Sequence, residues 1–361
     1  MNESHLVPKD LKNASLAVYR ERRKDTPVLP KTRDDVYTAT GFMVIETNKS
    51  EKFLLANDRE KGILLFSSHL NLVCLCNDMS SIFIDGTFMC CPKYFYHLYT
   101  LHGCKNGNYV PLMYALLPPK DEECYEIMWK MICDLCSQKQ LSFVPNVIHI
   151  DFEQAMHTAI MHAFPQCKID CCRFHLAQSW WRKIQTVGLS TDYKDKSTEI
   201  GKWLSQFFGL PFLPPNKVED CFTFDIMSDA PSDDKCHTFL DYVLSTYICT
   251  TSRYPPQFWA AAPVENCKRT NNGPESFHSH YNEQFYSHHP NIYVFMDVIK
   301  KIQAVTYVKM RTLDMPASVR KPDKEKTDFV IDKYGRYRND EITRKEYIRC
   351  VAYKYSARTD L

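Results

Sequence analysis

The sequence has no apolar run approaching the ~20 residues that cross a bilayer, so a membrane-spanning helix is excluded. It has no surplus of one charge either. The 45 basic and 43 acidic residues leave a net charge of +2. That excludes a uniformly basic coat for nucleic acid and leaves room for a local basic groove. Internal repeats and low-complexity tracts are missing, which excludes a solenoid or an array. The opening MNESHLVPKDLKN lacks the basic-then-apolar pattern of a secretory leader, so a protein that is not secreted is expected.

What is present is the composition of a globular chain, 44% hydrophobic and 24% charged. A length of 361 residues fits two domains or one elaborated domain. The 16 cysteines stand out. Without a secretory leader they are expected to be reduced thiols rather than a disulfide framework. Cys133 and Cys136 make a C-x-x-C pair on a helical pattern with no matching second half, and read as helix packing.

Residues 1–78 read as a partly helical lead-in. Its run Arg20-Glu21-Arg22-Arg23-Lys24 belongs on a solvated face. Its apolar clusters GFMVI, FLLA and GILLF have no clear period. From residue 80 the pattern sharpens. SIFIDGTF is a short β-branched and aromatic run, the mark of a buried strand. Residues 94–103 and 109–117 read as two more strands. Residues 121–139 have helical spacing, with Tyr125, Met128, Trp129, Ile132, Leu135 and Cys136 on one face. NVIHID reads as a fourth strand, 153–164 as a helix, 168–172 as a fifth strand and 174–187 as a further helix. Three meandering strands, then alternating helices and strands, predict an α/β fold with a mixed sheet flanked by helices. Residues 190–262 lose the strand pattern, turn acidic and predict an all-helical insertion. Helices resume over 263–310, and 311–361 reads as a mildly basic tail of surface helices or partial disorder. The expected layout is one domain in two parts, 79–189 and 263–310, interrupted by the insertion.

Three carboxylates stand out. Asp85 sits in the middle of SIFIDGTF, where an isolated buried charge is costly unless it is paired, hydrogen-bonded or metal-bound. Gly86 follows and permits close approach to the backbone. Asp151 ends NVIHID just before a helix, and in open α/β sheets sites gather at the carboxyl ends of strands. Two carboxylates on adjacent strands repel unless a divalent cation lies between them, and hard oxygen ligands favour Mg²⁺ or Mn²⁺. Glu153 reads as a first-turn helix acid rather than a ligand. Glu275 falls in RTNNGPESFHSHYNEQF, where Pro274 sits near the first position of a helix; from this segment alone a capping acid is the simpler reading. Phe277, Tyr281 and Phe285 give that helix an aromatic face for the core.

IDGTF, a strand ending in Asp before a helix, Cys-x-x-His and NNGPESFH, in that order, resemble the transposase domain of Mutator-like elements (MULE). The resemblance covers about residues 80–309. It implies membership of the DDE transposase and integrase superfamily and a ribonuclease H-like sheet interrupted by a helical insertion. It implies that Asp85, Asp151 and Glu275 are the catalytic carboxylates and hold two Mg²⁺ or Mn²⁺ ions. The activity implied is metal-dependent DNA strand cleavage and strand transfer. The partners implied are transposon ends and target DNA, with self-association on DNA because two ends must be joined, and no membrane. The location implied is the nucleus, or nucleus and cytoplasm. The alternative is a domesticated protein that keeps the fold for non-catalytic DNA binding or regulation. It is motivated by missing flanking modules: no Cys/His ligand set precedes Cys74, and Cys350 is the one cysteine beyond Cys267.

The family's Cys-x-x-His matches Cys172 and His175. Two ligands fall short of the four a closed zinc site needs, so a structural or DNA-positioning pair is expected and zinc is not. Phosphate contacts are expected from Arg173, Arg182, Lys183, Lys268, Arg269 and Lys300-Lys301. Trp180 is a candidate for stacking on an unpaired base, with core packing as the alternative. His278, one turn past Glu275, is a candidate contact to DNA or to a leaving group, with a surface position as the alternative.

Overall fold

In the computed structural model the described residues are 27–79, 81–118, 122–263 and 272–355, with Ala17 and Glu21; the side chains of Asn272 and Glu275 are excepted. The basic run at Arg20, apart from Glu21, lies outside the described residues.

The hydrophobic runs resolve into seven strands. They are β1 (Leu54–Asp58), β2 (Ile63–Phe66), β3 (Ser81–Thr87), β4 (His97–Lys105), β5 (Asn108–Leu117), β6 (Val147–Ile150) and β7 (Lys168–Cys171). They form one mixed sheet in the order β1-β2-β5-β4-β3-β6-β7. β3, β4 and β5 make an antiparallel meander. β6 then joins parallel to β3, and β7 parallel to β6. Crossovers between parallel strands need a helix, and here α3 (Glu122–Ser137) and α4 (Gln154–Ala163) supply it. Before the sheet centre come α1 (Arg33–Phe42) and α2 (His69–Asn77).

The lead-in carries strands as well as helices. Its β1 and β2 extend the sheet beyond β5. All four residues of β2 are buried because the sheet is covered on both sides. Ile63 and Leu65 join the core under α2 and α3, while Leu64 and Phe66 join a second core on the opposite face.

After α5 (Arg173–Thr186) the insertion is helical, as expected: α6 (Ser190–Lys194), α7 (Glu199–Gln206), α8 (Pro215–Cys221) and α9 (Asp234–Val243). Its core is aromatic, with Phe207 edge-on to Trp203, Phe222 and Phe239. The chain returns through α10 (Asn272–Asn282) and α11 (Ile292–Met310), then α12 (Lys321–Arg338) and α13 (Arg344–Tyr355). Buried Asn71 and Gln303 exchange side-chain hydrogen bonds at 2.8 and 2.7 Å and tie α2 to α11.

The tail forms the helices α12 and α13, and α13 docks on the insertion. Tyr347 is buried and donates to the Phe212 carbonyl at 2.9 Å, and Arg344 Nε lies 2.5 Å from Asp225 Oδ2. Gly209 permits the close approach, since a Cβ there would stand 2.3 Å from the Ile348 carbonyl oxygen.

Candidate active site

β3 places its residues on alternate faces. Ile82 and Ile84 enter the core under α3, while Phe83 stacks on His149 of β6 at 3.9 Å between centroids. Asp85 therefore shares the Phe83 face. The parallel register pairs Phe83 with His149. Asp85 and Asp151 each follow that pair by two residues, Asp85 within β3 and Asp151 just past the end of β6.

Each carboxylate is held locally. Asp85 Oδ1 accepts from the Gly86 N–H at 2.9 Å. Asp151 Oδ1 accepts from the Glu153 N–H at 3.2 Å, and the Asp151 carbonyl contacts His157 Nε2 at 2.9 Å. Among the described residues Asp151 forms no ion pair with lysine or arginine.

The third element is α10. His278 Nε2 lies 3.5 Å from Asp85 Oδ2 and 3.2 Å from Thr100 Oγ1. Thr100 pairs with Asp85 across β3 and β4 and contacts His102 Nε2 at 2.9 Å. His278 is buried rather than a surface residue. Burial pushes its pKa down to about 4, partly opposed by the Asp85 backbone carbonyl, so its ring is neutral near pH 7. The start of α10 is fixed by Gly273: a Cβ there would stand 2.3 Å from the Tyr109 ring, which packs edge-on against Phe83. Tyr281 donates to the Cys90 carbonyl at 2.9 Å, and Phe277, Tyr281 and Phe285 face the second core. Glu275 is in the first turn of α10, three residues before His278. Its side chain lies outside those described.

Glu153 has another partner set. Tyr125 donates to its Oε1 at 2.6 Å and Tyr99 to its Oε2 at 2.7 Å. Burial, the Asp151 charge and the neighbouring Tyr125 and Glu153 raise the Tyr99 pKa well above its usual value. Nothing in sequence periodicity signals this pair of tyrosines.

Cys172 caps the start of α5, and its N–H donates to the Ile150 carbonyl at 3.0 Å, locking the β7–α5 turn beside Asp151. His175 is largely buried. Burial lowers its pKa, while the Asp151 charge opposes that shift. Among the described residues, three His, Cys, Asp or Glu ligand atoms come together within 4.8 Å at Glu122, Glu126 and His162 on the outer side of α3 and α4. That group is not one the sequence reading singled out.

One family model matches the segment holding both aspartates. Residues 81–179 match the MULE transposase domain. No curated protein matches the chain. The MULE match runs from β3 into α5 and takes in Asp85, Asp151, Cys172 and His175; the insertion and Glu275 lie beyond it.

Outside these residues the expected DNA contacts fare unevenly. Trp180 is fully buried against Phe208, Tyr247 and Trp259, so it offers no face to a base and is corrected to a core residue. His278, expected on the surface or in contact with DNA or a leaving group, is buried beside Asp85. Arg173 is half-buried, its guanidinium 4.4 Å from the Phe212 ring centroid. Lys183 is half-buried beside Tyr242, and Arg182 is exposed. Lys268 and Arg269 lie outside the described residues. No helix among the described residues is long and apolar enough to cross a membrane.

Proposed function

We propose that the protein is a DDE-type transposase of the Mutator-like class, or a protein derived from one. In this reading a ribonuclease H-like core cuts DNA and transfers the cut strand to a target. The observation that carries it is the register of the neighbouring parallel strands β3 and β6, which pairs Phe83 with His149 two residues ahead of Asp85 and Asp151, with the helix of Glu275 packed on Asp85 through His278. The antiparallel meander continuing into two parallel strands supports the fold assignment.

The residues suit divalent metal. The donors are hard carboxylate oxygens, and two like charges side by side favour a cation between them. Asp85, Asp151 and Glu275 would hold Mg²⁺ or Mn²⁺, two ions in all. When bound, the ions stabilise the charge on the scissile phosphate and activate the attacking water or 3′-hydroxyl. The chain's own part is positioning. His278, neutral and buried, sets α10 against β3. Tyr99 and Tyr125 hold Glu153 in a fixed place beside Asp151. Arg182 is exposed on α5 for phosphate contact. DNA is the partner, the protein self-associates on paired ends, and the nucleus is the place of action.

The test is strand cleavage of DNA in Mg²⁺ or Mn²⁺. Loss of cleavage in Asp85→Ala supports the assignment. Undiminished cleavage by that variant overturns it.

A further inference from the structure

The C-x-x-C pair on α3 plays no part in the acidic site, yet it has a third thiol beside it. Cys136 is fully buried, and its Sγ lies 3.6 Å from Sγ of Cys76, near the end of α2. Cys76 is half-buried and reachable by a small oxidant, as is Cys133 on the same helix as Cys136. The two sulfurs touch across two separate helices. A disulfide holds its sulfurs at about 2.05 Å, so closing the gap takes a shift of about 1.5 Å, within the reach of side-chain rotation.

We propose that Cys76 and Cys136 are a redox modification site, joined under oxidation into a disulfide that staples α2 to α3. The thiols are not equivalent. Contact with Cys136 lowers the pKa of Cys76, whereas the same contact and burial raise that of Cys136. Cys76 is the thiolate that meets oxidant. With hydrogen peroxide, the Cys76 sulfur attacks the O–O bond, an S–O bond forms and hydroxide leaves to be protonated to water. The Cys136 sulfur then attacks the Cys76 sulfenic acid. The S–S bond forms, the S–O bond breaks, and the hydroxyl departs with the Cys136 proton as a second water. Two thiols lose two electrons, and one peroxide becomes two waters. The closed loop contains β3, β4 and β5, hence the strand of Asp85.

The experiment exposes the full chain to stoichiometric hydrogen peroxide, blocks remaining thiols with N-ethylmaleimide and maps the peptides. The expected product is a Cys76–Cys136 linked peptide that dithiothreitol abolishes, with a thermal midpoint raised in the oxidised form and restored on reduction. Cys133→Ala retains the link. Cys136→Ala loses it and leaves a Cys76 sulfenic acid that dimedone traps. Recovery of Cys76 and Cys136 both alkylated after oxidation, or of Cys76 linked to Cys133, overturns the proposal.

Discussion

Nε2 of His278 lies 3.5 Å from Oδ2 of Asp85, joining a helix late in the chain to a strand near its beginning. His278→Ala removes that contact and the one to Thr100, so α10 is free to shift on β3. A displacement of about 1 Å at a reacting centre can cost about 100-fold in rate. DNA cleavage by His278→Ala is expected to fall at least tenfold while circular dichroism stays native-like. His278→Gln, which keeps a polar head, is expected to retain more activity than His278→Ala. Equal activity in both variants and the parent would remove His278 from the account.

Gly273 is the second anchor of the same helix. An alanine there collides with the Tyr109 ring, and overpacking of this kind costs about 1–3 kcal/mol. Gly273→Ala is expected to lower the denaturant midpoint and the cleavage rate together. Adding Tyr109→Ala makes room for the new methyl. A double-mutant cycle should then show a favourable coupling between the two substitutions.

Glu153 separates a structural carboxylate from a ligand. Glu153→Ala takes the carboxylate acceptor from the hydroxyls of Tyr99 and Tyr125 and leaves them to each other at 3.2 Å, so a loss of about 1 kcal/mol is expected. Glu153→Gln keeps an acceptor of the same size. The amide variant is expected to unfold near the parent's midpoint and to cleave DNA within a few-fold of it. A hundredfold loss in Glu153→Gln, with stability unchanged, would show that Glu153 acts on the reaction directly.

His102 gives a pH signature. Its pKa is held well below the ordinary 6.5, by burial first and then by the neighbouring His278 ring and the positive charge of Lys309. The folded ring stays neutral where the unfolded ring takes a proton. The stability it contributes is therefore fully present above pH 6.5 and is lost as pH falls below that value. Thermal midpoints measured between pH 7.5 and 4.5 are expected to fall, and to fall less steeply in His102→Gln. Parallel profiles for the two proteins would contradict this.

The central strands were legible because β3, β6 and β7 are short β-branched runs and α3 has a clean apolar face. β1 and β2 were not. β2 is buried on both faces, so it has no period-two alternation to read. The docking of α13 was hidden by its charge. Arg344 and Lys345 suggested solvent, and their partners Asp225 and Asp229 sit far back in the insertion. Both aspartates could be placed from the sequence because each lies at a recognisable point on an apolar strand. His278 could not, since helical spacing does not say which strand a ring will face. Trp180 was ambiguous for the same reason, and the insertion's aromatic core claims it.

Convergence of Asp85, Asp151 and Glu275 on shared metal is the claim on which the rest depends. Fe²⁺ in place of Mg²⁺, with ascorbate and peroxide, cuts polypeptide beside its ligands, and mass spectrometry maps the cuts. Cuts clustered near Asp85, Asp151 and Glu275, suppressed by excess Mg²⁺ and by Asp85→Asn, are the expected result. Cuts confined to the exposed group at Glu122, Glu126 and His162, with α10 untouched, would contradict the account.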